Sequence, residues 1–176
     1  MGRSERIDVR QTGMVLLISL VFLLLLSLIG LVSIQEAVTQ QKIAGSLWHR
    51  NQSFQQAESG LRLGESRIQR EPAAVPVCRS IVTCAPPAEA FSVVTAGMNP
   101  GSAVSWVALK DGLYGIQSLG QGMGLAHLPA QTPAAVFRVT AVGFSGRSRA
   151  VLESVYARVE EEGRSRFLRV AWRQLQ

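Results

Sequence analysis

Apolar and polar positions alternate along this chain in three distinct rhythms. From Met14 to Val32 there is no Asp, Glu, Lys, Arg, His or Pro. These 19 residues, at about 1.5 Å rise each, make a helix of about 28 Å, close to the thickness of a bilayer core. The rhythm then becomes amphipathic. Nothing between Val32 and Glu71 resembles a helix stop, because the stretch is rich in Gln, Glu, Ala, Leu and Arg and has no proline until Pro72. The spanning helix is therefore expected to continue into water, and the 57 residues from Met14 to Arg70 would extend about 85 Å if unbroken.

Within that continuation Leu47, Phe54, Leu61 and Ile68 recur every seventh residue, and Ala57 and Gly64 fill intermediate turns of the same stripe. A stripe this narrow suits either a coiled-coil seam or a helix laid on a sheet of its own chain. The small intermediate residues favour the sheet. Gly60 and Gly64 would permit close backbone approach there, at about 1 kcal/mol each relative to Ala.

From Pro72 onward the texture changes to Pro, Gly, Ser and Thr with short β-branched runs. "AVSWVALKDGLYGIQ" predicts two strands joined at Lys110, Asp111 and Gly112, with Asp-Gly supplying positive backbone angles. Three longer runs, about 136–144, 149–159 and 166–175, are separated by "SGRS" and "EEEG" and predict an antiparallel meander. The fold class is α+β. Its segments are a leader over 1–13, a transmembrane helix over 14–34, an amphipathic continuation over 35–71 and a β-rich head over 72–176.

The flanks of the apolar run decide its type. A cleavable secretory signal has about 7 to 15 apolar residues and then a small-residue site, and neither feature fits here. No cysteine near its end supports lipoprotein processing. Arg3, Arg6 and Arg10 precede the run with Glu5 and Asp8, and the positive-inside rule, which weights the arginines, favours a cytoplasmic N-terminus with the rest of the chain outside the inner membrane.

Charge and chemistry add little to this picture. Lys and Arg number 18 against 12 acidic residues, giving +6, but the basic residues are scattered and never form a run of five or six, so no nucleic-acid partner is expected. His49 and His127 have no evident partner in the sequence. The "GQGMG" glycines lack the βαβ surroundings of a dinucleotide site, and "EEEG" is no calcium loop. Trp106, Phe137 and Trp172 lie in strands and are expected in the core. No catalytic, cofactor-binding or metal set is expected. Cys78 and Cys84 would pair in an oxidising periplasm, closing a loop of about seven residues worth roughly 2 to 2.5 kcal/mol; two free thiols are the alternative.

The short basic leader, the junction "RQTG" followed by "MVLLISL", the uninterrupted helix and the β-rich head together resemble the type IV pilins. More narrowly, "QQKIAGSLWHRNQSFQQAESGLRLGE" resembles the N-terminal motif of PilX-type minor pilins, and "FRVTAVGFSGRSRAVLESVYAR" resembles their C-terminal hairpin. The resemblance implies that a prepilin peptidase cuts between Gly13 and Met14 and methylates the new amine. It also implies partners: other minor pilins, the major pilin, the inner-membrane assembly platform, a large tip-associated adhesin, and membrane lipid before assembly. Most pilins carry glutamate as the fifth mature residue, where it neutralises the amine of the neighbouring subunit; here that position is Ile18. The resemblance therefore points to a subunit at or near a filament tip, supporting attachment and twitching. A type II secretion pseudopilin and a signal-anchored periplasmic receptor or adhesin are the competing expectations.

Overall fold

The computed structural model describes residues 11–161 and 163–176. The leader residues Arg3, Glu5, Arg6, Asp8 and Arg10, and Glu162 of "EEEG", lie outside the described residues. A single helix, α1, runs from Gln11 to Arg70. Its C-terminal turn carries Arg67 and Arg70, which suit the negative end of the helix dipole, and Pro72 follows where no helix can continue. The chain divides into two compact units, Met1–Gly45 and Ser46–Gln176, taken separately below.

In the second unit all the strands form one antiparallel sheet: β1 (Gly97–Met98), β2 (Ser105–Leu109), β3 (Gly112–Gly122), β4 (Ala134–Ser145), β5 (Ser148–Glu161) and β6 (Arg164–Gln174). Their spatial order follows the chain, β1-β2-β3-β4-β5-β6. The expected hairpin and the expected meander are thus parts of one sheet, joined by the β3–β4 pairing. Between α1 and β1 the chain makes 3-10 turns at Pro72–Ala74 and Ala88–Phe91 and a one-turn helix, α2 (Ile81–Cys84).

Strand alternation sorts the sheet into two faces. Tyr114, Phe137, Val139, Ala141, Leu152 and Tyr156 point at α1 and pack with Ala57, Leu61 and Ile68. Leu113, Val142 and Val151 point the other way beside Trp106 of β2, and Ala90 and Val104 cover them. The turn through Ala90 and Val93, with Val104, therefore supplies the second covering layer of the sheet.

Several expectations need correction. Leu47 is 53% exposed, because α1 meets the sheet only from His49, beside the β4–β5 turn, onward. Trp172 is 42% exposed, since β6 is an edge strand, and it touches the stripe only edge-on through Phe54. Neither Asp111 nor Gly112 adopts a positive φ. Gly112 is needed for space instead, as a Cβ there would lie 2.4 Å from the Val142 carbonyl oxygen on β4. The first two glycines of "GQGMG" belong to β3, and Gly120 (φ +83°) sits at the bulge where the β3–β4 register shifts.

Candidate functional site

Over residues 14–34 the first unit presents an almost wholly apolar surface. From Met14 to Ile34 every large aliphatic side chain is exposed, and one helix among the described residues is long and apolar enough to cross a membrane. Two of its hydroxyls are satisfied within the helix. Ser19 donates to the Leu16 carbonyl at 2.8 Å and Thr39 to the Gln35 carbonyl at 2.9 Å, which lets each enter an apolar medium without an orphan hydroxyl. Gly13 and Met14 lie in the first turns of α1, and Ile18 is one exposed aliphatic among its like. Such a surface is stable only against lipid or other apolar helices.

In the second unit the stripe on α1 is dominated by small and polar residues. Gly60 and Gly64 allow the sheet to approach: added Cβ atoms would come within 3.0 Å of Ala141 and 2.4 Å of Val139. The sheet contributes a glycine of its own. A Cβ on Gly143 would fall 2.0 Å from the Ser53 carbonyl oxygen and 2.5 Å from the Ala57 amide nitrogen, so helix and β4 are nearly in backbone contact. Ala57, Leu61 and Ile68 are fully buried in this interface, and Phe54 is half-buried at its margin.

Polar clips hold both ends of that interface. His49, expected to lack a partner, has its Nδ1 3.0 Å from the Ser145 hydroxyl, and Ser53 lies 3.1 Å from the Ser148 hydroxyl. Both serines flank the β4–β5 turn. Further along α1, Glu65 accepts from Arg169 Nε and Nη2 at 2.8 and 2.9 Å and from the Ser154 hydroxyl at 2.8 Å. Gln69 donates to the Tyr156 hydroxyl. The hydrogen bond that Arg169 donates to Glu65 raises the arginine's pKa above its ordinary value, against the opposing effect of burial. A bulge in the β5–β6 register, between Val155 and Tyr156, places Arg169 opposite Tyr156 on the helix-facing side.

The other face is stapled in the same manner. Cys78 and Cys84 form a disulfide with Cα atoms 5.3 Å apart, and within the loop Ser80 and Thr83 make a reciprocal capping box. Gln117 donates to the carbonyls of Thr83 and Ala85 at 2.7 and 3.0 Å, and Arg138 to that of Cys84 at 2.7 Å. Burial lowers the pKa of Arg138, opposed by the nearby Glu153 carboxylate. Glu153, itself buried, also accepts from Arg173 at 2.9 Å. Arg149 reaches the carbonyls of Ala90 and Val93 while its guanidinium lies over Phe144. These bonds tie irregular backbone to the sheet; they do not converge on a reacting atom. Among the described residues no group of three His, Cys, Asp or Glu could hold a metal ion.

A long apolar helix whose second half is clamped on an antiparallel sheet limits the chain to few families. Residues 12–62 match the family described as PilX N-terminal. The chain carries a PilX-type pilin N-terminus. Its helix and sheet are consistent with the type IV pilin α+β fold. The match takes in the apolar half of α1 and the start of its sheet-facing half, including His49, Ser53, Phe54, Ala57, Gly60 and Leu61. No curated protein and no solved structure matches the chain.

Sequence reasoning missed the two serine clips and the Glu65–Arg169 pair. Their partners are 95, 96 and 104 residues apart, and the serine spacing around "SGRS" was the only local signal.

Proposed function

We propose that this pilin-like chain is a minor pilin that takes part in priming and assembly of a type IV pilus, within a complex at the filament tip that supports attachment and twitching. The observation that carries the reading is Ile18. After cleavage between Gly13 and Met14 it is the fifth residue, and Glu36 is the first acid on the helix beyond the cut. In the pilins that this chain resembles, a glutamate there meets the amine of a subunit already in place. An ionised side chain in mid-membrane costs about 2.5–3.5 kcal/mol on insertion scales, tolerable only where a partner charge awaits. A subunit with no neighbour above it has no use for that charge.

In this reading the chain is not a catalyst. It starts in the inner membrane with a cytoplasmic N-terminus and a periplasmic head, is processed by the prepilin peptidase, and meets other minor pilins, the major pilin and the assembly platform. Mass spectrometry of the mature N-terminus tests the first step: an N-methylated Met14 is expected, and an intact leader would overturn it in favour of a signal-anchored receptor. For the tip position, Ile18→Glu is expected to leave priming unchanged or impair it; a clear gain of piliation in that variant would refute the assignment.

A further inference from the structure

Beyond Gly115, β3 loses its neighbour, because β2 begins only at Ser105 and its pairing with β3 ends at Trp106↔Gly115. The 72–79 segment partly fills the gap. Val77 bridges to Ser118 and the Cys78 amide donates to the Ser118 carbonyl at 2.9 Å. What remains open is a cavity of about 370 Å³ with an apolar interior formed by Val75, Val107, Tyr114 and Ile116. That volume falls within the range of about 300–1,000 Å³ typical of ligand sites.

Two arginines line the same cavity, Arg67 from the last turn of α1 and Arg79 from the disulfide loop. Arg138, Arg149, Arg169 and Arg173 are all committed to carboxylates or carbonyls of the head. Arg67 and Arg79, by contrast, have no ion pair among the described residues. An apolar cavity flanked by two uncompensated guanidinium groups is complementary to a ligand that joins apolar groups to carboxylates.

The surroundings give the size of that ligand. Val77 and Met98 line the cavity yet are 55% and 74% exposed, so its rim is apolar and open to solvent. A small carboxylic acid would fill the cavity and leave these side chains in water; a length of polypeptide covers both. The walls are also rigid before any partner arrives. The disulfide, the capping box and the bonds from Gln117 and Arg138 fix the 78–85 loop, which reduces the ordering cost of binding.

We infer that this cavity is a docking site for an extended segment of a partner protein in which aliphatic or aromatic side chains stand next to carboxylates. The site lies wholly in the second unit, and the inference holds whether or not the chain enters a filament. The full-length chain in nanodiscs is panned against phage-displayed random 12-residue peptides, with empty nanodiscs and the Arg67→Gln/Arg79→Gln chain as counterselections. The expected winners place Asp or Glu within two positions of Leu, Ile or Phe. A synthetic winner should bind at about 1–100 µM and weaken at least about tenfold in the double variant. Val77→Asp, which sets a carboxylate at the mouth, should weaken it similarly. Absence of enrichment over empty nanodiscs, winners without carboxylates, or equal binding to the double variant would overturn the inference. Full displacement of the peptide by hexanoate at equal affinity would reassign the cavity to a small acid.

Discussion

The two halves of α1 solve opposite problems with opposite residues. From Met14 to Ile34 the helix is almost wholly apolar, yet its large side chains are exposed within this chain. After Ser46 it is studded with Ser, Gln, Glu, Arg and Gly, yet Ser53, Ala57, Leu61, Glu65 and Ile68 are buried or nearly so. Burial therefore does not track hydrophobicity along this helix. The first half is matched to an apolar solvent supplied from outside, while the second is matched to the shape of one particular sheet, where a glycine can matter more than a leucine.

If that contrast is right, adding atoms at the helix–sheet contact should do the most harm. Gly143→Leu has no rotamer that avoids the Ser53 carbonyl and the Ala57 amide, since both are backbone. We expect a loss of about 4 kcal/mol or more in urea unfolding of the full chain in detergent, followed by tryptophan fluorescence. A loss under 1 kcal/mol would show that helix and sheet are not in close contact.

The same deletion made in each half gives a direct comparison. Leu61→Ala empties a fully buried position and should cost about 3 kcal/mol. Leu24→Ala removes an exposed side chain and should change unfolding of the head by less than about 0.5 kcal/mol. Equal effects in the two variants would dissolve the distinction.

A smaller effect is expected at the polar clip. Glu65→Gln keeps the volume but removes the charge that receives the two-pronged Arg169 contact, and Arg169 is partly exposed, so water recovers some of the loss. About 1–2 kcal/mol should be lost in the same assay, with a weaker salt dependence than wild type. No change in stability would mean that the pair orients the helix without holding it.

Much of this architecture could be read along the chain. The apolar run, the uninterrupted helix and the meander follow from hydrophobic period and turn residues, which are local properties. Ala57, Leu61, Gly64 and Ile68 were legible as one face for the same reason. Leu47 obeyed the seven-residue period but lies before the first contact with the sheet, and period alone cannot say where a partner surface begins. The β5–β6 bulge that re-aims Arg169 was not legible either, because it reverses the inward-facing parity partway along β6, and a mostly exposed edge strand has too weak an alternation to mark the reversal.

The sequence by itself thus determined the long helix and the principal strands, the solvent that suits each helix half and the absence of a carboxylate at Ile18, since each depends on the chemistry of residues a turn or a strand apart. Only the tertiary structure decided that His49 meets Ser145, that Arg169 meets Glu65, and that Arg67 and Arg79 flank one apolar cavity. Those meetings depend on the packing of α1, the disulfide loop and β1–β6 in space, and distances across a fold are not written in the spacing along its chain.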